Sequence, residues 1–315
     1  MKLSNNNTNN LNLKLRLEDQ GLKEIKPITK KIIHRNIIYF GKLKNGKEVV
    51  VKLFKNLKSM KNEIFCNKYL RANGLLVPYI INYCYSRTPY IIMDKIKGTE
   101  PSAEDIQSRI IDLAKVHVVS LNDTNLSRNI PVLTKEKRIK NLMKNIKTLK
   151  SNSFIPNSIY AKFDVLIKHI KNEKTQWGRC FCFNDFFINN SFIFMKKTYY
   201  FDFEKSMVSF PFIDVGCIVI NYPKKYDKIK SFYTRKIIAH FKASKIKNIE
   251  GYISRLNFLI DIGICEKVID DAAFLSNDSI RKSKSNIFCK KLALKRLKSV
   301  SFVFNNLGKD SNTKC

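Results

Sequence analysis

Two short stretches, FCFNDFFINN (Phe181 to Asn190) and YYFDFEKS (Tyr199 to Ser206), restrict this chain more than any other part of it. They set out three hard oxygen donors, Asp185, Asn190 and Asp202. The intervening SFIFMKKTYYF reads as a hairpin: an apolar strand over Ser191 to Met195, a Lys-Lys-Thr turn, and a second strand running into Asp202. Such a hairpin predicts that Asn190 and Asp202 come together. Moving a phosphoryl group from ATP to a hydroxyl needs a carboxylate near the accepting oxygen, and oxygen ligands that hold Mg²⁺ against the phosphates. Asp185 suits the first task, while the Asn190 amide oxygen and the Asp202 carboxylate suit the second.

The order of these motifs resembles the catalytic core of the aminoglycoside phosphotransferase and choline/ethanolamine kinase superfamily, and the resemblance runs roughly from Asn36 to Tyr222. In that family the loop reads H-x-D-x-x-x-x-N, often C-H-N-D in choline and ethanolamine kinases, followed by I-D-F-E. Cys182-Phe183-Asn184-Asp185 and Phe201-Asp202-Phe203-Glu204 look like those two signatures. The resemblance implies an α+β, two-lobed protein-kinase-like fold, with a small antiparallel β-sheet N-lobe and a mainly helical C-lobe. It implies ATP and Mg²⁺ as cofactors and a small-molecule hydroxyl as acceptor, leaning to choline or ethanolamine. It makes Asp185 the base or hydroxyl-positioning residue, and Asn190 and Asp202 the metal ligands. Asp214, in FPFIDVG, becomes the residue that holds the catalytic loop by hydrogen bonds. Phe183 stands where the family has His, which predicts a less firmly tethered loop.

The N-terminal half is a separate test, because the phosphates need a cation. NIIYFGKLKNGKEVVVKLF reads as two strands around Asn45-Gly46, with Lys52 on the second as the phosphate-gripping candidate. Glu63 lies in SMKNEIFCNKYLRANG, whose apolar residues fall at helical spacing and whose end is marked by Asn73-Gly74. It is the candidate partner that orients Lys52. By the resemblance, TPYIIMDKIKG is the hinge strand, adenine bonds backbone groups at Met93, Asp94 and Lys95, and LAKVHVVSL is a helix in which His117 is structural. The phosphate-covering loop falls near Arg35 to Lys42, where Gly41 is the one glycine.

Composition bounds the rest. With 44% apolar residues, 22 Phe and 13 Tyr, the chain can fill real cores. It has no apolar run of about 18 residues and no signal-like N-terminus, so a soluble, cytoplasmic protein is expected. Eight scattered cysteines, Cys180 and Cys182 the closest, predict buried reduced thiols, and the four separated histidines suggest no metal or nucleophile role. Lys and Arg number 59 against 26 acidic residues, a net charge of +33. The lysines run from end to end in an Ile- and Asn-rich chain, so biased composition explains them better than dedicated nucleic-acid binding. RKSKSNIFCKKLALKRLKSVSFVF forms the densest basic stretch, an amphipathic helix with Phe288, Leu292, Val300 and Phe304 near one face. It reads as a C-terminal packing helix, with contact to an anionic membrane as its alternative. Trp177 with the tyrosines of the C-terminal half could cage a quaternary ammonium, although packing is the plainer role. The organisation expected is a disordered polar tail over 1–20, an N-lobe over 21–88, a hinge over 89–99, a helical C-lobe over 100–304 carrying the catalytic loop 181–204, and a tail over 305–315. Two rival functions stay open, a nucleotide-binding pseudokinase and a basic nucleic-acid or membrane-surface binder; the oligomeric state is open as well.

Overall fold

Asn45-Gly46 reverses the chain as its sequence demands, with Gly46 in the left-handed region (φ +83°) and the Leu43 amide donating to Lys47 O at 2.9 Å. The computed structural model describes residues 17–18, 21–27, 36–86, 88–121, 123–151, 157–173, 180–244, 250–276 and 286–310. These form two compact units, one reaching Glu100 and also holding Ser191–Lys205, the other holding Pro101–Asn190 and the chain from Ser206 onward.

The first unit is built on an antiparallel sheet of β1 (Leu22–Pro27), β2 (Ile37–Leu43), β3 (Glu48–Leu53), β4 (Ile80–Cys84) and β5 (Tyr90–Asp94), in the order β1-β2-β3-β5-β4. The two strands flanking Asn45-Gly46 are thus β2 and β3, and β1 is an addition that sequence reading did not find. Residues 37–43 lie in strand β2, so the phosphate-covering loop is not at Arg35 to Lys42; the connection from β1 to β2 falls mostly outside the described residues. Val49, Val51 and Leu53 alternate along β3 into a core with Leu22, Tyr90 and Ile92. Burying each such side chain contributes about 1.5–3 kcal/mol. Leu17 is fully buried in that core, which corrects the boundary of the expected tail; the rest of 1–20 lies outside the described residues.

Helix α1 (Leu57–Ala72) starts where the Asn56 side chain accepts the Ser59 amide. It ends at Gly74 (φ +78°), where the Gly74 amide donates to Arg71 O and that of Leu75 to Leu70 O. Met60 and Ile64 on its inner face join Phe54, Ile91 and Met93. The hairpin of β7 (Ser191–Phe194) and β8 (Lys197–Tyr200) belongs to this unit. Its turn is Met195-Lys196, both left-handed (φ 49° and 59°), not Lys-Lys-Thr, and β8 stops at Tyr200 short of Asp202. A two-residue turn of this hand matches the twist of paired strands, and here strand pairing imposes it on residues that carry no signal for it. Thr99 and Ile193 exchange both backbone hydrogen bonds, at 3.0 and 2.9 Å. At Gly98 a Cβ would sit 2.7 Å from Ile193 O, so glycine permits this approach.

The second unit is mainly helical. It contains α2 (Ile106–Val119), α3 (Thr124–Asn129), α4 (Lys135–Lys150), α5 (Asn157–Asn172), α6 (Phe212–Asn221), α7 (Tyr226–Ala243), α8 (Glu250–Leu275), α9 (Asn286–Ser299) and α10 (Ser301–Asp310). A two-stranded ribbon pairs β6 (Cys180–Cys182) with β9 (Met207–Ser209). Helix α6 is buried all along its length and crosses α8 at glycines. A Cβ on Gly263 would lie 2.5 Å from the Phe212 carbonyl carbon, and one on Gly216 2.7 Å from Lys267 Cβ. The basic C-terminal stretch forms two helices that break at Val300. Their buried face carries Ala293, Leu297, Val300 and Phe304, while Leu292 is half-buried and the Phe288 side chain lies outside the described residues. That face packs inward, as the packing reading requires. Among the described residues no helix is long and apolar enough to cross a membrane.

Candidate active site

In the first unit, β3 points Lys52 to the side opposite Val49 and Val51, and burial leaves it 6% exposed. Its Nζ donates to Glu63 Oε2 at 3.1 Å and to Asp202 Oδ1 at 2.6 Å. Glu63, on α1, is 3% exposed, while the Asp202 side chain remains 33% exposed. Asp202 takes the left-handed backbone conformation (φ 69°), a small strain that Asp tolerates better than most residues. The segment after it is pinned to α1, because the Asn62 amide donates to Phe203 O at 3.2 Å and to Glu204 O at 2.9 Å. Asn36 donates to Glu204 Oε2 at 2.7 Å. Sequence reading missed Asn62; its one signal is a carboxamide on the buried face of a helix.

The electrostatics follow from one cation facing three carboxylates. Burial alone would lower the Lys52 pKa, but Glu63 and Asp202 outweigh it and hold the ammonium charged. Burial raises Glu63, to about 7, with Lys52 pulling it down and Asp202 and Glu204 pushing it up. The surplus of negative charge, with Asp202 partly open, fits a divalent cation held by hard oxygen donors. Mg²⁺ suits this donor chemistry.

At the predicted hinge, Met93 is buried beneath the sheet. The Asp94 amide donates to Tyr79 O at 2.9 Å and the Lys95 amide to Glu48 O at 3.4 Å. Their side chains are engaged as well, Asp94 with Lys47 at 2.7 Å and Lys95 with Glu48 at 3.1 Å. Hydrogen bonds from Lys97 and Lys95 lower the Glu48 carboxyl to about 2. The backbone past Lys95 is the first to leave the sheet, so Ile96 offers the first peptide group beyond it.

In the second unit, Asp214 organises the catalytic-loop candidate from the first turn of α6. It is fully buried, and its two carboxylate oxygens accept the Phe183 and Asn184 amides, each at 2.7 Å. Its Oδ2 also lies 3.3 Å from His117 Nε2, whose Nδ1 is 2.7 Å from the Tyr233 hydroxyl. His117 is therefore structural, as the resemblance implied. The loop leaves β6 through Asn184 in the left-handed region (φ 60°) and reaches Asp185. Asp185 O accepts both the Phe187 amide at 2.7 Å and the Asn190 side-chain amide at 2.8 Å. With its nitrogen so used, the atom Asn190 could offer a metal is its amide oxygen.

The loop is better held than Phe183 predicted. The Phe183 ring is buried against Phe181 (5.0 Å) and Phe186 (4.6 Å). Buried Arg109, stacked on Phe186, donates to its carbonyl at 3.0 Å, and Lys267 Nζ donates to Asn184 O at 2.8 Å. Neither Arg109 nor Lys267 was foreseen, since each reaches the loop from a distant helix. The ligand atoms of His117, Cys182 and Asp214 lie within 4.8 Å of one another, but both His117 nitrogens are engaged and burial pushes the Cys182 thiol up. That cluster is a hydrogen-bonded brace. The six described cysteines are free thiols, five of them buried and Cys84 half-buried, and Trp177 lies outside the described residues.

No protein-family model and no curated relative matches this chain. Solved structures do. Choline kinase from Cryptosporidium parvum Iowa II superposes with a TM-score of 0.62 at 13% identity, covering 93% of this chain and 92% of that one. Ethanolamine kinase from Plasmodium vivax gives 0.58 at 15% identity, over 91% of this chain and 84% of that one. The ADP-bound aminoglycoside phosphotransferase APH(2'')-Ib gives 0.57 at 17% identity, over 93% and 98%. At these identities the likeness speaks to fold. The chain shares the α+β fold of these structures, an antiparallel-sheet unit and a mainly helical unit.

Proposed function

We propose that this protein transfers the γ-phosphoryl group of ATP, with Mg²⁺, to a hydroxyl of a small molecule. The observation that carries the reading is Lys52, held at once by Glu63, 11 residues on, and Asp202, 150 residues on. A buried ammonium kept charged and aimed by two carboxylates is what gripping the α and β phosphates requires. Asp185 accepts the acceptor's proton while the acceptor oxygen bonds to the γ phosphorus. The bond from that phosphorus to the β–γ bridging oxygen breaks, and its electron pair leaves with ADP. Asn190 and Asp202 would hold the metal, which supplies charge neutralisation of the phosphates when bound. Asp214 keeps the loop in register through two backbone hydrogen bonds. Because the amides of Asp94 and Lys95 are taken within the sheet, adenine recognition moves outward to the peptide groups of Ile96 and the carbonyls beside it.

The test is nucleotide-dependent thermal stabilisation with and without Mg²⁺, in wild type and Asp202→Ala, followed by ATP consumption over an acceptor panel led by choline and ethanolamine. A Mg²⁺-dependent shift lost in the variant, with turnover on an acceptor, supports the proposal. No nucleotide shift in wild type overturns it. The Phe183 substitution motivates one other reading, nucleotide binding without turnover, which predicts the shift but no ATP consumption on any acceptor. Salt-sensitive binding to nucleic acid or anionic vesicles that survives Asp202→Ala would instead mark a basic surface binder.

A further inference from the structure

Building on the phosphotransfer reading, we propose that the cleft between α4 and α8 in the second unit is the acceptor site, and that it takes a neutral, polyhydroxylated molecule of about sugar-ring size. The cleft opens to solvent and holds a cavity of about 100 Å³, below the about 300–1,000 Å³ of drug-sized ligand sites, so it suits a ligand no larger than a single small ring. Asn184, the residue before Asp185, lines it, and Lys267 in the lining is bonded to the Asn184 carbonyl at 2.8 Å. The cleft therefore adjoins the loop that carries the proposed base.

Its lining selects the ligand. Leu133, Leu142, Met207 and Ile213 give it an apolar part, suited to the C–H face of a ring. Asn141 and Asn145, four residues apart on α4 and so on one helix face, give it carboxamides that can both donate to and accept from hydroxyls. The charged residues cancel. Glu266 is paired with Arg138 at 2.5 Å, and Asp270 with Lys267 at 3.3 Å and with the Asn145 amide at 3.1 Å. A cationic amino alcohol needs a spare carboxylate or an aromatic face. Glu266 is taken by buried Arg138, half-exposed Asp270 is shared between Lys267 and Asn145, and none of the described lining residues is aromatic. A polycationic antibiotic would also meet a chain of net charge +33. An anion fares no better, since Lys267 is spent on Asn184 O and Asp270. The C-x-N-D and x-D-F-E motifs that favoured choline or ethanolamine describe the catalytic loop, which is common to many acceptors, and the cleft is where acceptors are told apart.

The experiment measures ATP consumption by wild type with glucose, fructose, ribose and inositol, and with choline, ethanolamine and kanamycin, next to Mg²⁺·ATP thermal stabilisation. Turnover on a neutral polyol is expected. In Asn145→Ala and Asn141→Ala its KM should rise at least tenfold while the KM for ATP and the melting temperature hold. Asn145→Asp should move relative kcat/KM toward choline and ethanolamine. Turnover confined to the cations, or a polyol KM indifferent to both alanine variants, overturns the inference. Stabilisation by Mg²⁺·ATP with no turnover on any neutral polyol sinks this inference alone, whereas absence of that stabilisation sinks the phosphotransfer reading beneath it.

Discussion

Glu63→Gln should separate stability from activity at one residue. Glu63 is 3% exposed, and burial with two neighbouring carboxylates raises its pKa from 4.5 to about 7 despite Lys52. A carboxyl whose folded pKa lies above its unfolded value stabilises the fold below the unfolded value, and that contribution is lost as pH rises through the folded one. Between pH 4.5 and about 7 the folded protein holds one proton more than the unfolded chain. Stability attributable to Glu63 then falls by about 1.4 kcal/mol per pH unit, or about 3 kcal/mol over the window. Glutamine keeps the shape and a hydrogen-bond acceptor for Lys52 but does not titrate. Urea unfolding at pH 5, 6, 7 and 8 should show the wild type losing stability toward pH 7 relative to the variant, with the variant at least as stable at pH 8. ATP consumption should move oppositely, falling about 10- to 100-fold as Lys52 loses a charged partner that fixes its position. Parallel wild-type and variant profiles across those pH values would refute the argument, because they would mean that Glu63 ionises like an exposed carboxylate.

Lys52→Met should abolish stabilisation by Mg²⁺·ATP in a thermal shift assay while the protein still folds, because Glu63 can take up a proton once its partner is gone. Asp214→Asn replaces an oxygen facing a backbone N–H with an amide nitrogen, at a cost of about 1–3 kcal/mol. Hydrogen exchange at the Phe183 and Asn184 amides should accelerate, and kcat should drop further than stability. Gly263→Ala would drive a Cβ to 2.5 Å from the Phe212 backbone, so about 1–3 kcal/mol should be lost, read as a lower melting temperature.

The parts of the fold legible in the sequence were those whose cause is local. Asn45-Gly46 announces a turn because glycine alone supplies its backbone angle cheaply, and the 3.6-residue periodicity of α4 and α5 announces their buried faces, whereas α1 buries Asn62, Glu63 and Asn67 among its apolar residues. Strand β1, LKEIKP, has little apolar alternation, and its strand geometry depends on pairing with β2. Met195-Lys196 turns left-handed because β7 and β8 pair, a nonlocal cause. The same division runs through the site. Lys52 with Glu63 and Asp202 could be read from motif order, and the structure brings these three together. Arg109, Tyr233 and Lys267 reach the catalytic loop or its brace from 77 to 116 residues away, and nothing near them in sequence marks that task.

The chain passes between its two units three times, because Ser191–Lys205 returns to the first after 90 residues spent in the second. During synthesis the first unit stays incomplete until residue 205 has emerged: Thr99 waits for Ile193, and Lys52 waits for Asp202. Closing a 90-residue excursion costs about 4 kcal/mol of chain entropy before those contacts repay it. The first unit therefore begins the chain yet stays open through most of the second unit's first 90 residues, and the second closes only with the helices after Ser206. A fragment cut at Glu100 would leave the ammonium with only Glu63 beside it and the Thr99 edge without its strand partner.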